Sequence, residues 1–370
     1  MLEIDGIPYP VRFANFQRNS IAAAVIKASG RVAWAKPYSD TEDDLEAFPV
    51  GLNVGKDHIG VVSTDNILLF GPGGDYQRFI QIGDNSPVIF GKRGIAYADP
   101  AFMLEYREYG GKVVLESKDL PAAQEFGMIA LLRPTWDDFI AAVQFTGGPE
   151  RLPKTYDVYH MQVESSTRTW SIDGEGEIGP VLLSMDDDRV VMFRGGEATV
   201  LSASSGTEVV AFATGFRHIV SASINTRDEI ATIGVRETDE ETLVMLEIFS
   251  LEGESQWAMQ LSNPTMSQPP PCGSDGRVFV VDEYVLKCIK DSEVMWEEQL
   301  PIAEYNWMTV DQEDKIAVVA GKQLMLFGAD GTELFSIEIT EENDDFEIAP
   351  AVDANGRILV AGQNSLYCIQ

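Results

Sequence analysis

Residues Gly276–Gln299, with the sequence GRVFVVDEYVLKCIKDSEVMWEEQ, decide the fold of this chain. An apolar run over Arg277–Val281 ends at Asp282–Glu283, and a second run follows over Tyr284–Ile289. A turn at Lys290–Ser292 then leads into a third run that has Trp296 at its centre. Short runs of β-branched and aromatic residues between brief polar turns predict three consecutive antiparallel strands.

The same pattern recurs along the chain. Asp314–Ile339 repeats it with Phe335 in place of Trp296, 39 residues later, and Asn355–Gln370 begins it again at the C-terminus. A period of about 40 residues that carries only strand signals is typical of a β-propeller with four-stranded blades. The sequence therefore predicts an all-β fold in which residues 1–370 form a single propeller domain.

The earlier copies place an aromatic residue at the position equivalent to Trp296, where we expect it to pack between neighbouring sheets. These residues are Trp34, Phe79, Trp170, Phe212 and Trp257. Seven internal copies and one blade shared by the two chain ends favour eight blades, whereas seven would remain if residues 126–171 elaborate a neighbouring blade. The final repeat stops before its outer strand, so an N-terminal strand is expected to pair there and close the ring. Residues 1–19 have no predicted place.

The chain is strongly acidic, with 27 basic and 59 acidic residues and a net charge of −32. Such a surface repels nucleic acid phosphates and anionic lipid, and its charge favours a soluble monomer. No apolar run approaches the roughly 20 residues that span a bilayer. We therefore expect neither nucleic acid binding nor membrane insertion. A full-length chain would be cytoplasmic, whereas a chain from which a signal peptide was removed would be periplasmic or extracellular.

Several third-strand segments follow the pattern Leu-Tyr-Ala-Leu-Asp, then Gly, then Trp. They are Leu366–Gln370, Leu286–Lys290 before Trp296, Val200–Ala203 before Gly206, and Ile248–Leu251 before Gly253 and Trp257. In these segments the chain resembles the PQQ-like repeat propellers, a family that includes quinone-dependent dehydrogenases and non-catalytic scaffolds such as outer-membrane assembly lipoproteins. The dehydrogenases use vicinal cysteines above the quinone. Because Cys272, Cys288 and Cys368 are not adjacent, the resemblance implies the fold but no cofactor and no catalytic residue.

Side chains that could carry chemistry are few. His58, His160 and His218 are 102 and 58 residues apart, which matches neither the repeat nor a metal-binding motif. Three acidic runs, Asp186–Asp188, Asp239–Glu241 and Glu341–Asp345, lack the spaced carboxylates of a calcium loop. We expect them to be solvated turns, with Ca²⁺ binding as the alternative. The cysteines are expected to be buried in strands.

The fourth copy departs from the regular repeat. Its unusual residues are Arg133, Trp136, Asp137 and Asp138, and the long loop Thr146–Lys154 follows. Ala123–Met128 and Trp136–Phe145 are the only stretches that could form short helices. Irregular loops on a regular scaffold often bind partners, and Trp beside Arg is typical of interface hot spots. The alternative for Trp136 is an aromatic residue that only fills the blade.

Together these features predict a non-catalytic propeller that presents loops or its axial face to a protein partner, with the four residues of the fourth copy as the candidate contact. The alternative function is an enzyme, or a propeller that binds a small ligand or calcium, with acidic residues from several blades converging on the central channel.

Overall fold

The structure is a computed structural model that describes residues 24–38, 49–54, 57–83, 86, 88–90, 94–98, 104–116, 126–132, 138–145, 155–163, 165, 167–184, 188–238, 241–264, 268–303, 306–339, 344–346 and 348–370. Residues 1–19, for which the sequence predicted no place, lie outside these ranges. Within the described ranges no helix is long and apolar enough to cross a membrane.

The strands form eight antiparallel sheets, called blades 1 to 8, each ordered from an inner strand outward. The first strand in the chain is β1 (Val32–Pro37), which joins blade 8. Blade 1 contains β2 (Pro49–Val54), β3 (Ile59–Ser63), β4 (Asn66–Phe70) and β5 (Tyr76–Gln81). Blade 2 contains β6 (Ile89–Phe90), β7 (Gly94–Ala98), β8 (Leu104–Glu108) and β9 (Val113–Glu116). Blade 3 contains β10 (Phe126–Leu132), β11 (Asp138–Phe145), β12 (Thr155–Gln162) and β13 (Thr167–Glu175).

The remaining blades follow in chain order. Blade 4 contains β14 (Val181–Leu183), β15 (Arg189–Arg194), β16 (Glu197–Ser202) and β17 (Glu208–Ala213). Blade 5 contains β18 (His218–Ile224), β19 (Glu229–Glu237), β20 (Thr242–Ser250) and β21 (Ser255–Leu261). Blade 6 contains β22 (Val278–Asp282), β23 (Val285–Lys290) and β24 (Glu293–Gln299). Blade 7 contains β25 (Asn306–Val310), β26 (Ile316–Ala320), β27 (Gln323–Phe327) and β28 (Glu333–Glu338). Blade 8 contains β29 (Ala351–Val352), β30 (Ile358–Ala361) and β31 (Ser365–Ile369), with β1 outermost.

The two ends of the chain share blade 8, as the sequence predicted. Strand β1 pairs with β31 in an antiparallel register that places Ala35 opposite Tyr367. The segment before β1 also crosses the end of blade 7, where the Ile26 N–H donates to the Asp311 carboxylate at 2.6 Å. The prediction of eight blades and of ring closure is confirmed, and the seven-blade alternative is wrong because residues 126–175 form a complete blade of their own.

The interior of the ring lies between neighbouring blades. Phe279 and Leu286 of blade 6, for example, pack in one buried cluster with Met308 and Val318 of blade 7. Because both faces of the middle strands are covered, several of them, such as β26 and β30, are apolar throughout instead of alternating. The three free cysteines are buried among them, as predicted.

Every outer strand contains a β-bulge close to its start. One outer-strand residue is skipped in the pairing with the third strand of each blade, and these residues are Ala33, Gln77, Val114, Thr169, Val209, Gln256, Met295 and Leu334. A bulge bends the strand and increases its twist. The same irregularity in all eight blades makes it a feature of the repeat.

In blades 3, 6, 7 and 8 the residue that follows the bulge is aromatic and packs over a glycine of the next blade. A Cβ at Gly331, where φ is +86°, would lie 2.9 Å from the Trp296 ring, and a Cβ at Gly206 would lie 2.7 Å from Trp170. Only glycine leaves this space open and adopts such a φ without strain. Trp296 Nε1–H also donates to the Ala329 carbonyl at 3.0 Å. These aromatic–glycine contacts join consecutive blades at the periphery of the ring.

Three sequence predictions are corrected by this geometry. In blade 4 the residue after the bulge is Val210 and not Phe212, which lies two residues further on and packs over Gly253 of blade 5. In blade 1 the residue after the bulge is Arg78 and not Phe79, and the Arg78 guanidinium lies over Gly111 of blade 2. The repeat spacing does not reveal which residue of an outer strand is skipped at the bulge, so it places Phe79 one residue too far along the chain. The possible helices over Ala123–Met128 and Trp136–Phe145 are also wrong, because β10 and β11 occupy their described residues.

Blade 6 has a reduced inner strand. Cys272 forms an isolated bridge with Val278, and the Phe279 N–H donates to the Pro271 carbonyl at 2.8 Å. Proline has no N–H to donate to a ladder. The Pro269–Pro271 run therefore limits this edge to a few hydrogen bonds.

Candidate interaction surfaces

The antiparallel order of each blade defines two ends of the ring. Turns between the first and second strands, and between the third and outer strands, lie at what we call the lower end. Turns between the second and third strands, and the linkers from one blade to the next, lie at the upper end.

Most exposed apolar side chains lie on the outer strands. Among the described residues these are Val32, Val113, Val209, Val294, Met295 and Leu334, and each is a bulge residue or its neighbour. We call this set the rim. Since the bulge recurs in every blade, the exposure of the rim follows from the architecture.

Two further exposed apolar residues, Tyr284 and Ile302, lie at the upper end of blade 6. Tyr284 is 41% exposed and Ile302 is 82% exposed, the largest value in the set of exposed apolar residues. The Leu300 N–H, two residues before Ile302, donates to the Tyr284 carbonyl at 2.8 Å, so the turn and the linker leave the same corner of the blade. Among the residues that the structure describes at this end, no other large apolar side chain is exposed. We call these two residues the blade-6 patch.

The turn that carries Tyr284 has an unusual composition. Glu283 and Tyr284 join β22 to β23 with φ values of 53° and 65°. Two positive φ values define a type I′ turn, which favours Asn-Gly. The corresponding two-residue turns of blades 4 and 7 have positive φ only at their first position, and both have glycine there, Gly195 and Gly321. Other residues cost about 1 kcal/mol or more there. The predicted second strand therefore begins at Val285 and leaves Tyr284 in the turn.

Carboxylates surround the blade-6 patch. Glu283 precedes Tyr284 in the chain, and Glu297 and Glu298 lie near the C-terminal end of β24. All three side chains are exposed. Beneath the turn, the buried Asp282 accepts the Asn263 N–H at 2.7 Å and the Lys287 ammonium at 2.8 Å. The Lys287 charge is thus engaged by Asp282. Lys322 lies in the upper turn of blade 7, next to Gly321, which faces Ala303. The three exposed carboxylates outnumber this cation, so the local surface is acidic.

The predicted contact in the fourth copy is only partly described. Arg133, Trp136 and Asp137 lie outside the described residues. Asp138 is the first residue of β11 and lies at the lower end of blade 3, opposite Gln162. Its carboxylate is 3.9 Å from His160 Nε2.

His160 is part of a small polar cluster on the same blade. Its Nδ1 lies 2.5 Å from the hydroxyl of Thr169, the bulge residue, and its ring stacks on Trp170 with centroids 6.1 Å apart. Burial lowers the pKa of His160 below its usual value, and the Asp138 charge opposes that shift. The neutral imidazole accounts for its position between a Trp face and a hydroxyl.

The other histidines are not brought together with His160. His58 stacks on Tyr109 at 3.9 Å and lines a small surface pocket with Asp353 and Asn355, between blades 1 and 8. His218 is exposed at the start of β18. In the part of the chain that the structure describes, no three His, Cys, Asp or Glu residues are grouped so that they could hold a metal ion.

One residue of the acidic runs, Asp344, is not solvated as the sequence predicted, whereas the adjacent Asp345 is exposed. Asp344 is only 1% exposed. Its carboxylate accepts the Asn364 N–H at 2.7 Å and the Tyr367 hydroxyl. A Cβ at Gly362 would lie 2.1 Å from it, so the glycine leaves room for the acid. Burial, reinforced by the Asp344 charge, raises the pKa of Tyr38. Asp344 is therefore a structural residue of blade 8.

No family model matches the chain, and no curated protein matches it in sequence. Among solved structures, BamB from Moraxella catarrhalis is similar, with a TM-score of 0.57 and 11% sequence identity. The similarity covers 92% of this chain and 100% of that one. At this identity the comparison shows a shared β-propeller fold, and the PQQ-like repeat stays a prediction from the sequence.

Proposed function

We propose that this protein is a non-catalytic scaffold that binds another protein through the blade-6 patch. The observation that carries the proposal is the exposure of Tyr284 and Ile302 at the upper end of blade 6, where no other described residue exposes a large apolar side chain. Single exposed apolar residues are common on protein surfaces, but tyrosine is a residue that interfaces favour.

The turn beneath the patch supports the proposal. A sequence selected only for stability would place glycine or asparagine where Glu283 and Tyr284 adopt positive φ. Asp291 and Ser292 adopt similar φ values at the lower end, so the strain supports the proposal only together with the exposed Tyr284 ring. The upper turn holds Tyr284 outward, with its carbonyl bonded to the Leu300 N–H at 2.8 Å.

The test is affinity capture from the source cells with three versions of the full chain as bait: the parent, Ile302→Ser and Met295→Ser. Both substituted side chains are exposed, but only Ile302 belongs to the patch. We expect a protein that is enriched by the parent and by Met295→Ser and is lost with Ile302→Ser. Equal recovery by all three baits, or no enriched protein, would reject the proposal.

A second contact is proposed through the four residues that the sequence indicates, Arg133, Trp136, Asp137 and Asp138, of which the structure describes Asp138 at the lower end of blade 3. What supports it is the departure of this copy from the repeat and the position of Asp138 at a strand end, where a loop can present it. Replacing Asp138 and Trp136 by Ala in the same capture experiment should weaken recovery of the partner. Unchanged recovery would remove these residues from the interface.

A further inference from the structure

We infer that the blade-6 patch binds a cationic segment that carries one aromatic or aliphatic anchor. The inference rests on the proposed scaffold function and adds the chemistry of the partner. Its starting point is the combination of two exposed apolar side chains with a border of carboxylates.

The apolar part of the site would receive the anchor. Ile302 is 82% exposed, and Tyr284 is 41% exposed with a hydroxyl that has no protein partner among the described residues. A tyrosine offers both an apolar ring and a polar atom for binding. The anchor must be short, because only these two large apolar residues are exposed at this end of the described ring.

The carboxylates around the patch determine the sign of the charge that the partner should carry. Glu283, Glu297 and Glu298 are exposed beside the patch, and the nearby Lys287 is bound to Asp282 at 2.8 Å. The whole chain carries a net charge of −32. An acidic segment or an anionic lipid surface would be repelled, whereas Lys and Arg side chains would gain attraction and faster association.

Two hairpins of blade 6 provide a matched pair of variants. Glu283–Tyr284 at the upper end and Asp291–Ser292 at the lower end are both two-residue turns with positive φ values. Replacing either pair by Asn-Gly gives the residues that this turn type prefers. Both variants should therefore fold, and only one of them alters the patch.

The experiment pans a display library of random twelve-residue peptides against the full chain and then measures the affinity of the enriched peptides. The proteins compared are the parent, E283N/Y284G, I302S and the control D291N/S292G. We expect enriched peptides with an excess of Lys and Arg around one aromatic or aliphatic residue. Their affinity should fall about tenfold or more in E283N/Y284G and I302S, as for a hot-spot residue, and stay unchanged in the control. Added salt should also weaken binding.

Several results would overturn the inference: no enrichment, enrichment of acidic or uncharged peptides, or equal affinity for all four proteins. A vesicle assay covers the lipid alternative. If the parent sediments with phosphatidylcholine vesicles and I302S does not, the patch binds lipid and the inference is wrong. Capture of a cellular partner that lacks a basic segment, dependent on Ile302, would preserve the scaffold function while rejecting this chemistry.

Discussion

The rim and the blade-6 patch both expose apolar side chains, but for different reasons. Rim residues such as Met295 and Leu334 recur at the bulge of successive outer strands, so their exposure is a consequence of the repeat. Tyr284 and Ile302 have no such counterparts among the other residues described at the upper end. An exposed apolar side chain in a repeat protein is therefore informative when the equivalent positions of the other repeats do not share its exposure.

The largest effect on stability should come from a packed aromatic residue next to the rim. Replacing Trp296 by Ala removes the ring that lies over Gly331 and the hydrogen bond to the Ala329 carbonyl. We expect a loss of about 3 kcal/mol in the free energy of unfolding, measured by denaturant titration with circular dichroism. The neighbouring Met295→Ala should change it by less than about 0.5 kcal/mol, because Met295 is 56% exposed. A similar loss in both variants would contradict the distinction between the packed Trp296 and the exposed rim residue Met295.

A smaller effect is expected beneath the patch. Asp282 is 2% exposed and accepts hydrogen bonds from the Ser262 and Asn263 N–H groups and from Lys287. Replacing it by Asn should cost about 2 kcal/mol at pH 7, since bonds to a charged group are the stronger ones. If stability is unchanged, the turn does not depend on this carboxylate.

The same residue predicts a pH dependence. Burial by itself would raise the pKa of Asp282, but Lys287 and the two backbone N–H groups outweigh it and leave the pKa below its usual value. Its contribution is thus complete above the unfolded pKa of about 4 and disappears as the pH falls through the folded pKa. Unfolding measured between pH 7 and pH 2 should show a steeper acid loss in the parent than in Asp282→Asn. Parallel curves would refute this.

The turn itself should respond in the opposite direction. Changing Glu283 and Tyr284 to Asn and Gly relieves two strained residues, so we expect a gain of about 1 kcal/mol in the free energy of unfolding. The control pair Asp291 and Ser292, changed in the same way, should gain a similar amount. A destabilised upper turn beside a stabilised lower turn would show that Tyr284 has a packing role.

The smallest effect on stability is expected at Ile302. Ile302→Ser and Met295→Ser should each change the melting temperature by no more than about 1 °C, because both side chains are mostly exposed. If Ile302→Ser unfolds the protein appreciably more easily, its side chain supports the fold and the patch cannot be assigned to binding.

The repeat made the fold predictable. Apolar segments that recur about every 40 residues, with Trp296 and Phe335 at matching positions, predict the blades and the closing strand from the sequence alone. The residue that is skipped at each bulge depends on the pairing with the neighbouring strand, and the sequence does not predict it. A bulge does not change the residue types around it, so Arg78 could not be distinguished from Phe79 as the residue over the next blade.

The candidate site was less predictable. The departure from the repeat points to the fourth copy as the binding site. Tyr284 instead lies in the most regular copy, in an apolar run that predicts a strand. Whether a residue two places after a strand faces solvent depends on the turn type, which φ reveals and composition does not. One signal was present: blade 6 has Glu-Tyr where blades 4 and 7 have glycine at the first turn position. Asp344 was likewise hidden, because its partners Asn364 and Tyr367 are distant in sequence.

Site-specific photo-crosslinking in the source cells tests the central claim most directly. A photoreactive amino acid is placed at residue 302 in one full-length chain and at residue 295 in another, since both positions are exposed and only the first lies in the patch. A discrete protein adduct from residue 302 and none from residue 295 is the predicted result. Adducts of equal yield from both positions, or an adduct from residue 295 alone, would show that the rim and the patch do not differ as proposed.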